Sequence, residues 1–495
     1  MNKKGLVIQL TGLSGAGKTT LSNAVEGYFK ENNIRIAIVD GDVYRQHLCA
    51  DLGFSKADRI ENINRLGKHA DSLADENEVV LIAAINPYNE ARKKLKEIYN
   101  AHLIYINSDL DTLIQRDTKG LYKKAMLPDD NPNKINHFTG ISDPFDIPIE
   151  ADLVIDTAKL GIVKSSELLC DYIVNELNTK KLFDSFLIEL DQLIKFILNN
   201  TSSEENMKVL SKKKHYLMNV FSLGLLEFYE VVYQFSENTT LIFDWLLQQN
   251  GKLELVHKIK TYNNLVDNKE VDSKYFNKII TDEQYNFWEE NGYIQLSGLI
   301  DENECDKVVT YICNLLNIND TMSYDELNNI DLQGIMVNKF DYKESSTLRN
   351  HELIKMIYED LYQSNEIISE IAPLGFNPPV SKSYSFRGSS LHWDIDFTKE
   401  EFTNIQGLIY LNDVDADGGA FSLIKGFNKE FTAFNVDAQN AQSILESLLK
   451  NRDVTPLKGK KGDLILWKET IPHAATPNHS DVPRFVQYLN FVNLI

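Results

Sequence analysis

The chain has 495 residues, more than a single hydrophobic core usually supports, so we expect several domains. Hydrophobic residues make up 43% and charged residues 25%, and no apolar run approaches the roughly 20 residues that span a bilayer, which argues against a membrane partner. A formal charge of −21 disfavours nucleic acid, so small molecules are the expected ligands.

The start of the chain and its cysteines indicate the compartment. Residues 1–5 are basic but lead into a short strand-like run rather than a signal-peptide core, so we expect a cytoplasmic protein. Cys49, Cys170, Cys305 and Cys313 are too few and too scattered for a disulfide framework or a CxxC metal clip. We expect reduced, buried thiols. The oligomeric state stays open, with a homo-oligomer as one alternative.

A glycine-rich motif follows the first predicted strand. Leu6–Leu10 has the pattern of a buried strand, and apolar residues recur at helical spacing from Leu21 to Tyr28. The segment between them fits GxxxxGK[ST], in which backbone N–H groups surround a polyphosphate, Lys18 reaches the β/γ oxygens and Thr19 binds Mg²⁺. The residues predicted to bind ATP and Mg²⁺ are Gly12, Ser14, Gly15, Ala16, Gly17, Lys18, Thr19 and Thr20.

Two carboxylates follow the second predicted strand. Alternating isoleucines from Ile34 to Ile38 lead into Asp40 and Asp42, at the sheet edge where open α/β folds bind ligands. A plain polar turn would also explain Asp-Gly-Asp. Further strand-like runs at 79–82, 102–106 and 153–156 alternate with helical stretches and predict a parallel sheet with helices on both faces.

Five motifs of this region together resemble adenylylsulfate kinase over about residues 1–178. They are residues 11–20, 40–42, 52–65, 119–125 and 138–141. The resemblance implies transfer of the γ-phosphate of ATP to the ribose 3′-hydroxyl of adenylylsulfate. Such a transfer depends on positioning and charge neutralisation.

The same resemblance implies roles for individual residues. Phe54 and Phe138 correspond to the pair that encloses the base, and Lys119 begins the lid over the reaction. The implied nucleotide-substrate residues are Arg45, Phe54, Arg59, Asn62, Ile85, Lys119 and Phe138. The implied catalytic residues are Lys18, Asp40, Asp42 and Lys119, with Asp40 or Asp42 organising Mg²⁺ or accepting the hydroxyl proton.

The chain departs from that family at Ala84-Ile85-Asn86-Pro87, where Phe-Ile-Ser-Pro is usual. Asn86 cannot form a phosphoserine, so direct in-line transfer is expected. Ala84 removes bulk beside the acceptor pocket. An alternative acceptor, such as a cytidine diphosphoramidate, therefore stays open beside adenylylsulfate.

Residues 179–280 predict a helical connector. Leu182 to Ile197 form one apolar stripe at helical spacing, and Leu217 to Val232, with Leu225 among its members, form a second. Both are typical of core-facing helices, and no chemical cluster lies between them.

Residues 281–495 carry a second constellation. His392 and Asp394 lie two apart on a strand-like run and so share a face, and His473 follows another strand-like run. Two histidines and a carboxylate form the facial triad of non-haem Fe(II) oxygenases, with open positions for 2-oxoglutarate and O₂. Arg484 would pair with the distal carboxylate of 2-oxoglutarate. His479 competes with His473 as ligand, and we prefer His473.

This part resembles the phytanoyl-CoA dioxygenase family, on the triad and on the turns around Gly418-Gly419 and Lys425-Gly426. The resemblance implies a double-stranded β-helix (jelly-roll) domain that hydroxylates a small molecule while 2-oxoglutarate becomes succinate and CO₂. The sequence thus predicts a multidomain, bifunctional enzyme with parts 1–178, 179–280 and 281–495. The alternative is that one half is a degenerate binding module.

Overall fold

The computed structural model describes residues 4–117, 119–199, 204–267, 278–318, 332–337, 343–382, 384–397 and 401–494. The chain forms two compact units, Met1–Ser185 and Phe186–Ile495, each with its own core. Among the described residues no helix is both long and apolar enough to cross a membrane.

The first unit is built on a parallel sheet of five strands in the order β2-β3-β1-β4-β5. The strands are β1 Leu6–Thr11, β2 Ile36–Asp40, β3 Val79–Ala83, β4 His102–Asn107 and β5 Leu153–Asp156. Runs of Val, Ile and Leu are typical of strands covered on both faces. All the predicted strands of this unit are confirmed.

Helices cover both faces of this sheet. They are α1 Lys18–Glu31, α2 Gly41–Tyr44, α3 Lys56–Leu73, α4 Asn89–Tyr99, α5 Leu110–Gln115, α6 Leu121–Ala125 and α7 Thr157–Asn199, which is interrupted at Gly161 and continues into the second unit. Neighbouring residues of β1 point to opposite sides, so Ile8 packs with Leu21 of α1 while Val7 packs with Leu66 of α3. The predicted α/β architecture is confirmed.

The second unit begins with helices. After α7 come α8 Glu204–Phe221, α9 Leu225–Gln234 and α10 Thr239–Asp267. The apolar stripe predicted from Leu217 to Val232 is not one continuous helix. Helix α8 ends at Phe221, Ser222 adopts a left-handed φ of 56°, and α9 begins at Leu225. Leu225 consequently lies 49% exposed at the start of α9, whereas Leu217, Phe228 and Val232 are buried.

Helix α8 lies against strand β9 (Ile367–Glu370) through polar contacts. His215 Nδ1 lies 2.6 Å from Glu370 Oε1, and Asn219 Nδ2 donates to the Ser369 carbonyl at 2.6 Å. Lys212 forms an ion pair with Glu366. The predicted helical connector is therefore joined to the sheet of the second unit.

Two antiparallel sheets form the rest of this unit. The larger has the order β6-β14-β11-β16-β10-β8-β7 with β9 paired to β16, and the smaller has the order β13-β12-β15. The remaining strands are β6 Tyr293–Leu296, β7 Leu332–Gln333, β8 Met336–Val337, β10 Leu374–Asn377, β11 Ile405–Tyr410, β12 Phe421–Leu423, β13 Thr455–Pro456, β14 Leu464–Lys468, β15 His473–Ala475 and β16 Arg484–Asn493. The helices are α11 Asp282–Asn291, α12 Glu302–Leu315, α13 Lys343–Arg349, α14 Glu352–Tyr362 and α15 Ala441–Asn451.

Side chains of β11 alternate between two cores. Ile409 packs with Ile357 of α14 on the helix-covered face, whereas Leu408 packs with Phe421 between the two sheets. This sandwich of antiparallel sheets confirms the predicted jelly-roll domain. Residues of β11, β14, β15 and the middle of β16 line one cavity in this domain.

Candidate active sites

The glycine-rich loop joins β1 to α1. Gly15 and Gly17 have φ of 76° and 102°, in the left-handed region that strains other residues. A Cβ added at Gly12 would lie 2.3 Å from the Ile106 carbonyl oxygen, so only glycine lets the loop approach β4 this closely. The loop's shape therefore depends on these glycines.

Lys18, the first residue of α1, reaches back over this loop. Its Nζ donates to the carbonyls of Gly12 and Leu13, both at 2.9 Å. Burial lowers the pKa of Lys18 to about 8, against the opposing effect of Asp42 and Asp40. The lysine is thus held by backbone oxygens at the place where the motif predicts phosphate oxygens.

The two carboxylates after β2 have different partners. The Thr19 hydroxyl donates to Asp40 Oδ2 at 2.8 Å, and Asp40 Oδ1 caps α2 by accepting from the Asp42 N–H at 2.8 Å. Lys119 Nζ lies 2.9 Å from Asp42 Oδ2 in an exposed ion pair, which raises the pKa of Lys119. Asp40 is therefore hydrogen-bonded to the predicted Mg²⁺ ligand Thr19, whereas Asp42 is paired with Lys119 of the predicted lid.

The predicted aromatic pair opens onto the same cavity, of about 930 Å³, that the loop lines. Phe54 is 61% exposed, with the Arg45 guanidinium 4.3 Å from its ring centroid. Phe138 is buried and meets Tyr122 edge to face at 5.0 Å. The cavity thus combines a phosphate-type loop with an exposed aromatic face.

The cavity brings together most of the predicted nucleotide residues. Those that line it are Ser14, Gly15, Gly17, Lys18, Thr19, Thr20, Asp40, Asp42, Phe54, Arg59, Ile85, Lys119 and Phe138. Four others, Gly12, Ala16, Arg45 and Asn62, are not among the described residues that line it. Arg59 is held by Thr139 Oγ1 and the His137 carbonyl, both at 2.7 Å, so its charge is oriented by the protein.

Several lining residues escaped the sequence analysis, among them Thr157 and Arg116. Thr157 donates to the Ala16 carbonyl at 2.9 Å, and Arg116 donates to the Thr157 carbonyl at 3.0 Å; both line the cavity. Thr157 directly follows β5. The rule that ligands gather at the carboxyl ends of parallel strands, applied to this strand, would have identified it.

The second site is assembled from two segments. His392 and Asp394 lie in a stretch whose only described strand-like feature is the bridge from His392 to His473, so the predicted strand there was wrong, and His473 begins β15. His392 and His473 exchange backbone hydrogen bonds at 2.9 Å, and their ring centroids lie 4.7 Å apart. Asp394 Oδ1 lies 3.7 Å from His392 Nε2, and its Oδ2 lies 3.4 Å from His473 Nε2. The three ligand atoms fall within 4.8 Å of one another, whereas His479 is exposed and outside the group.

Hydrogen bonds orient both histidines toward the centre. His392 Nδ1 lies 2.7 Å from the Ser390 carbonyl, and His473 Nδ1 lies 3.0 Å from the Ile471 carbonyl. Because a carbonyl only accepts, each Nδ1 carries the proton and each Nε2 offers a lone pair. Burial and His473 lower the pKa of His392; burial alone would raise that of Asp394, but the two histidines bring it to about 2. A divalent metal fits this donor set.

Arg484 at the start of β16 is 1% exposed. Its Nη1 donates to the Gly419 carbonyl at 2.6 Å, while its Nε and Nη2 have no hydrogen-bond partner among the described residues. Arg484 also acts on Tyr488, whose pKa burial raises and the nearby guanidinium lowers in part. A buried guanidinium with two free donors is suited to a carboxylate.

A cavity of about 390 Å³ contains the triad, with wall residues that the sequence analysis did not single out. Gln406, Trp467 and Tyr488 come from the central strands, and Leu225 comes from α9. Each is separated from the triad in sequence and reaches it through strand pairing or helix packing. No local motif could have indicated them.

Two family models match the chain. The model described as adenylylsulphate kinase matches residues 4–156, and the one described as phytanoyl-CoA dioxygenase matches residues 338–486. The chain is 41% identical to the adenylyl-sulfate kinase of Halothermothrix orenii, an alignment that covers 35% of this chain and 91% of that protein.

Solved structures resemble each part of the chain. The APS kinase of Mycobacterium tuberculosis in complex with AMPPNP and APS is 36% identical, with 35% of this chain and 98% of that chain covered and a TM-score of 0.32. A non-heme alpha-ketoglutarate-dependent carbocyclase from nogalamycin biosynthesis is 18% identical, with 43% of this chain and 84% of that chain covered and a TM-score of 0.33.

Proposed function

The chain belongs to the adenylylsulfate kinase family through residues 4–156 and carries a phytanoyl-CoA dioxygenase region at residues 338–486, and from this premise we propose that it catalyses two reactions. The first unit transfers the γ-phosphate of ATP to the ribose 3′-hydroxyl of adenylylsulfate. The second unit hydroxylates a small molecule with Fe²⁺, 2-oxoglutarate and O₂.

One observation carries the kinase proposal: Lys18 and the Thr19–Asp40 pair share a cavity with the exposed ring of Phe54. Bound Mg²⁺·ATP supplies the phosphoryl group and screens its charge. Lys18 neutralises phosphate oxygens, and Thr19 with Asp40 holds the Mg²⁺ shell. Asp42, which Lys119 keeps beside the lid, accepts the proton of the 3′-hydroxyl.

The acceptor nucleotide is the finer part of this proposal. Ala84 and Ile85 line the cavity, while Asn86 is buried and donates to Gln9 Oε1 at 3.1 Å. Asn86 is therefore hydrogen-bonded to β1 and has no hydroxyl that could take up a phosphoryl group. Both facts support direct in-line transfer from ATP to the acceptor. We propose adenylylsulfate as the acceptor because Phe54 and Phe138 are both retained.

A coupled assay of ADP release with the full chain tests this choice. We expect turnover with adenylylsulfate and none with cytidine diphosphoramidate. Turnover with the cytidine compound alone would overturn the proposed acceptor and leave the kinase assignment in place.

For the second unit, the carrying observation is the convergence of His392, Asp394 and His473 within 4.8 Å of one another. Arg484, buried and partly unpaired, is not among the described residues that line the triad cavity, but it lies close enough to the lining residue Tyr488 to lower its pKa against the effect of burial. These three side chains would hold Fe²⁺ through two Nε2 atoms and a carboxylate. When bound, the iron with 2-oxoglutarate and O₂ oxidises a C–H bond while the cosubstrate becomes succinate and CO₂. Arg484 binds and orients the distal carboxylate of the cosubstrate.

Iron titration of the full chain, followed by measurement of succinate, tests this assignment. We expect one Fe²⁺ per chain and formation of succinate from 2-oxoglutarate. Folded protein that takes up no metal would instead favour a degenerate binding module.

We also propose that both reactions act on small molecules in the cytoplasm and that the functional parts follow the predicted boundaries 1–178, 179–280 and 281–495. The contact between α8 and β9 supports grouping the middle part with the oxygenase. Light scattering of the full chain would establish whether it forms a homo-oligomer.

A further inference from the structure

Gln406 lies between a predicted iron ligand and a buried indole. Its Nε2 donates to Asp394 Oδ2 at 3.3 Å, and its Oε1 accepts from Trp467 Nε1 at 2.8 Å. The register of β11 and β14 places Gln406 directly opposite Trp467, so both side chains occupy the inner face. A continuous hydrogen-bonded chain therefore runs from the sheet to Asp394.

The indole determines which end of the Gln406 amide faces Asp394. An indole N–H only donates, so the amide must present its oxygen to Trp467. The amide nitrogen is then directed at the carboxylate, which can only accept while ionised. Since Trp467 is 2% exposed, its N–H would lose its partner if the amide turned over.

Trp467 supports a second predicted ligand as well. Its ring centroid lies 5.1 Å from that of His473, and Phe421 packs against both rings at 4.3 Å and 5.5 Å. Asp394, in contrast, has a half-exposed side chain in a segment without regular secondary structure. Compared with His473, the Asp394 carboxylate has less packing to fix its orientation, so a hydrogen bond from another residue matters more for it.

We propose that Gln406, oriented by Trp467, is a positioning residue that restricts rotation of the Asp394 carboxylate and prepares the triad for metal. By holding Oδ2, it favours ligation through a single carboxylate oxygen. This inference rests on the proposed iron site and adds to it a residue outside the group of predicted metal ligands. The competing explanation is that Gln406 only satisfies the buried indole.

The test compares two glutamine variants of the full chain. Gln406→Leu removes both hydrogen bonds, and Gln295→Leu is the matched control because Gln295 Nε2 also donates to a carboxylate, Asp463 Oδ2 at 3.0 Å, outside the described lining of the triad cavity. Co²⁺ binding is measured by calorimetry and by its visible absorption. We expect Gln406→Leu to weaken Co²⁺ binding about 10–100-fold and to change the absorption bands, as loss of an outer-shell partner does.

Gln295→Leu should bind Co²⁺ as the wild type does. Trp467→Phe keeps an aromatic ring but removes the N–H, so it should weaken Co²⁺ binding less than Gln406→Leu does. If Gln406→Leu fails to fold, the Co²⁺ affinity of Trp467→Phe tests the inference in its place. Wild-type affinity and spectrum in a folded Gln406→Leu protein would overturn this inference alone. Failure of the wild-type chain to bind Co²⁺ would overturn the proposed iron site together with it.

Discussion

The two units bury a cation in opposite ways. Lys18 donates to two carbonyls five and six positions away, and its burial lowers its pKa to about 8. Arg484 is equally enclosed, but only its Nη1 has a described acceptor. Because a guanidinium does not lose its proton at ordinary pH, Arg484 keeps its positive charge whether or not a ligand is bound. Nucleotide binding should therefore depend on pH, whereas cosubstrate binding should not.

The largest effect should come from removing the carboxylate of the triad. Asp394→Ala is expected to abolish measurable Fe²⁺ uptake, a loss beyond the roughly 10–100-fold that outer-shell changes cause. Calorimetry measures the uptake, and ADP release by the same variant serves as the control. ADP release should be unchanged, and its loss in a folded Asp394→Ala protein would mean that the substitution acts beyond the triad.

Next in size is the loss of the lysine. Lys18→Met keeps the side-chain length but removes the charge proposed to neutralise the phosphates, so we expect kinase turnover to fall by about 10²–10³-fold, as when one charge-stabilising donor is removed. Succinate formation should be unchanged. Turnover near the wild-type rate would show that Lys18 does not act on the phosphates.

Arg484→Met tests the other cation. Removing one member of a buried charge pair costs about 2–5 kcal/mol, so 2-oxoglutarate should bind on the order of 30-fold or more weakly. Co²⁺ binding in the absence of cosubstrate is the control and should stay as in the wild type. Unchanged affinity for 2-oxoglutarate would mean that its distal carboxylate binds elsewhere.

Phe54→Ala should have a smaller effect, on the acceptor alone. Base–aromatic stacking contributes about 1–3 kcal/mol, and the exposure of Phe54 places it at the lower end, so the KM for adenylylsulfate should rise about tenfold. The KM for ATP should not change, since the loop and Lys18, not Phe54, are the proposed triphosphate site. An equal rise in both constants would indicate a structural effect.

The pH dependence gives the finest distinction. Lys18 loses its charge as pH rises through about 8, so the affinity of the free protein for Mg²⁺·ATP should fall, by about tenfold from pH 7 to 9. Lys119 stays charged over this range because Asp42 raises its pKa. Lys18→Arg should give a flat profile, and a flat profile in the wild type would contradict the lowered pKa.

The first site could be predicted from sequence because its chemistry is local. Gly12 to Thr19 are consecutive and lie between a strand and a helix, so the loop and the place of Lys18 follow from the order of residues. Even there, Thr157 was missed because the strand-end rule was not applied to β5, and Arg116 was missed because it is linked to the loop only through Thr157.

The second site is distributed, and the sequence revealed only its most distinctive members. His392, Asp394 and His473 stand out by residue type, but Gln406 and Trp467 become partners through strand register. The break between α8 and α9 was missed because the helical spacing of apolar residues continues across Ser222. The left-handed backbone of Ser222 does not change that spacing, so the sequence pattern gave no sign of it. Leu225 was therefore expected in a core and instead lines the cavity of the triad.

The contact between α8 and β9 sets where the oxygenase can be cut from the chain. A fragment beginning at the predicted boundary, residue 281, would leave Glu366 and Glu370 without Lys212 and His215, and the triad cavity would lose the side chain of Leu225. We therefore expect a fragment that begins near Phe186, where the second compact unit starts, to be more stable than one that lacks these helices.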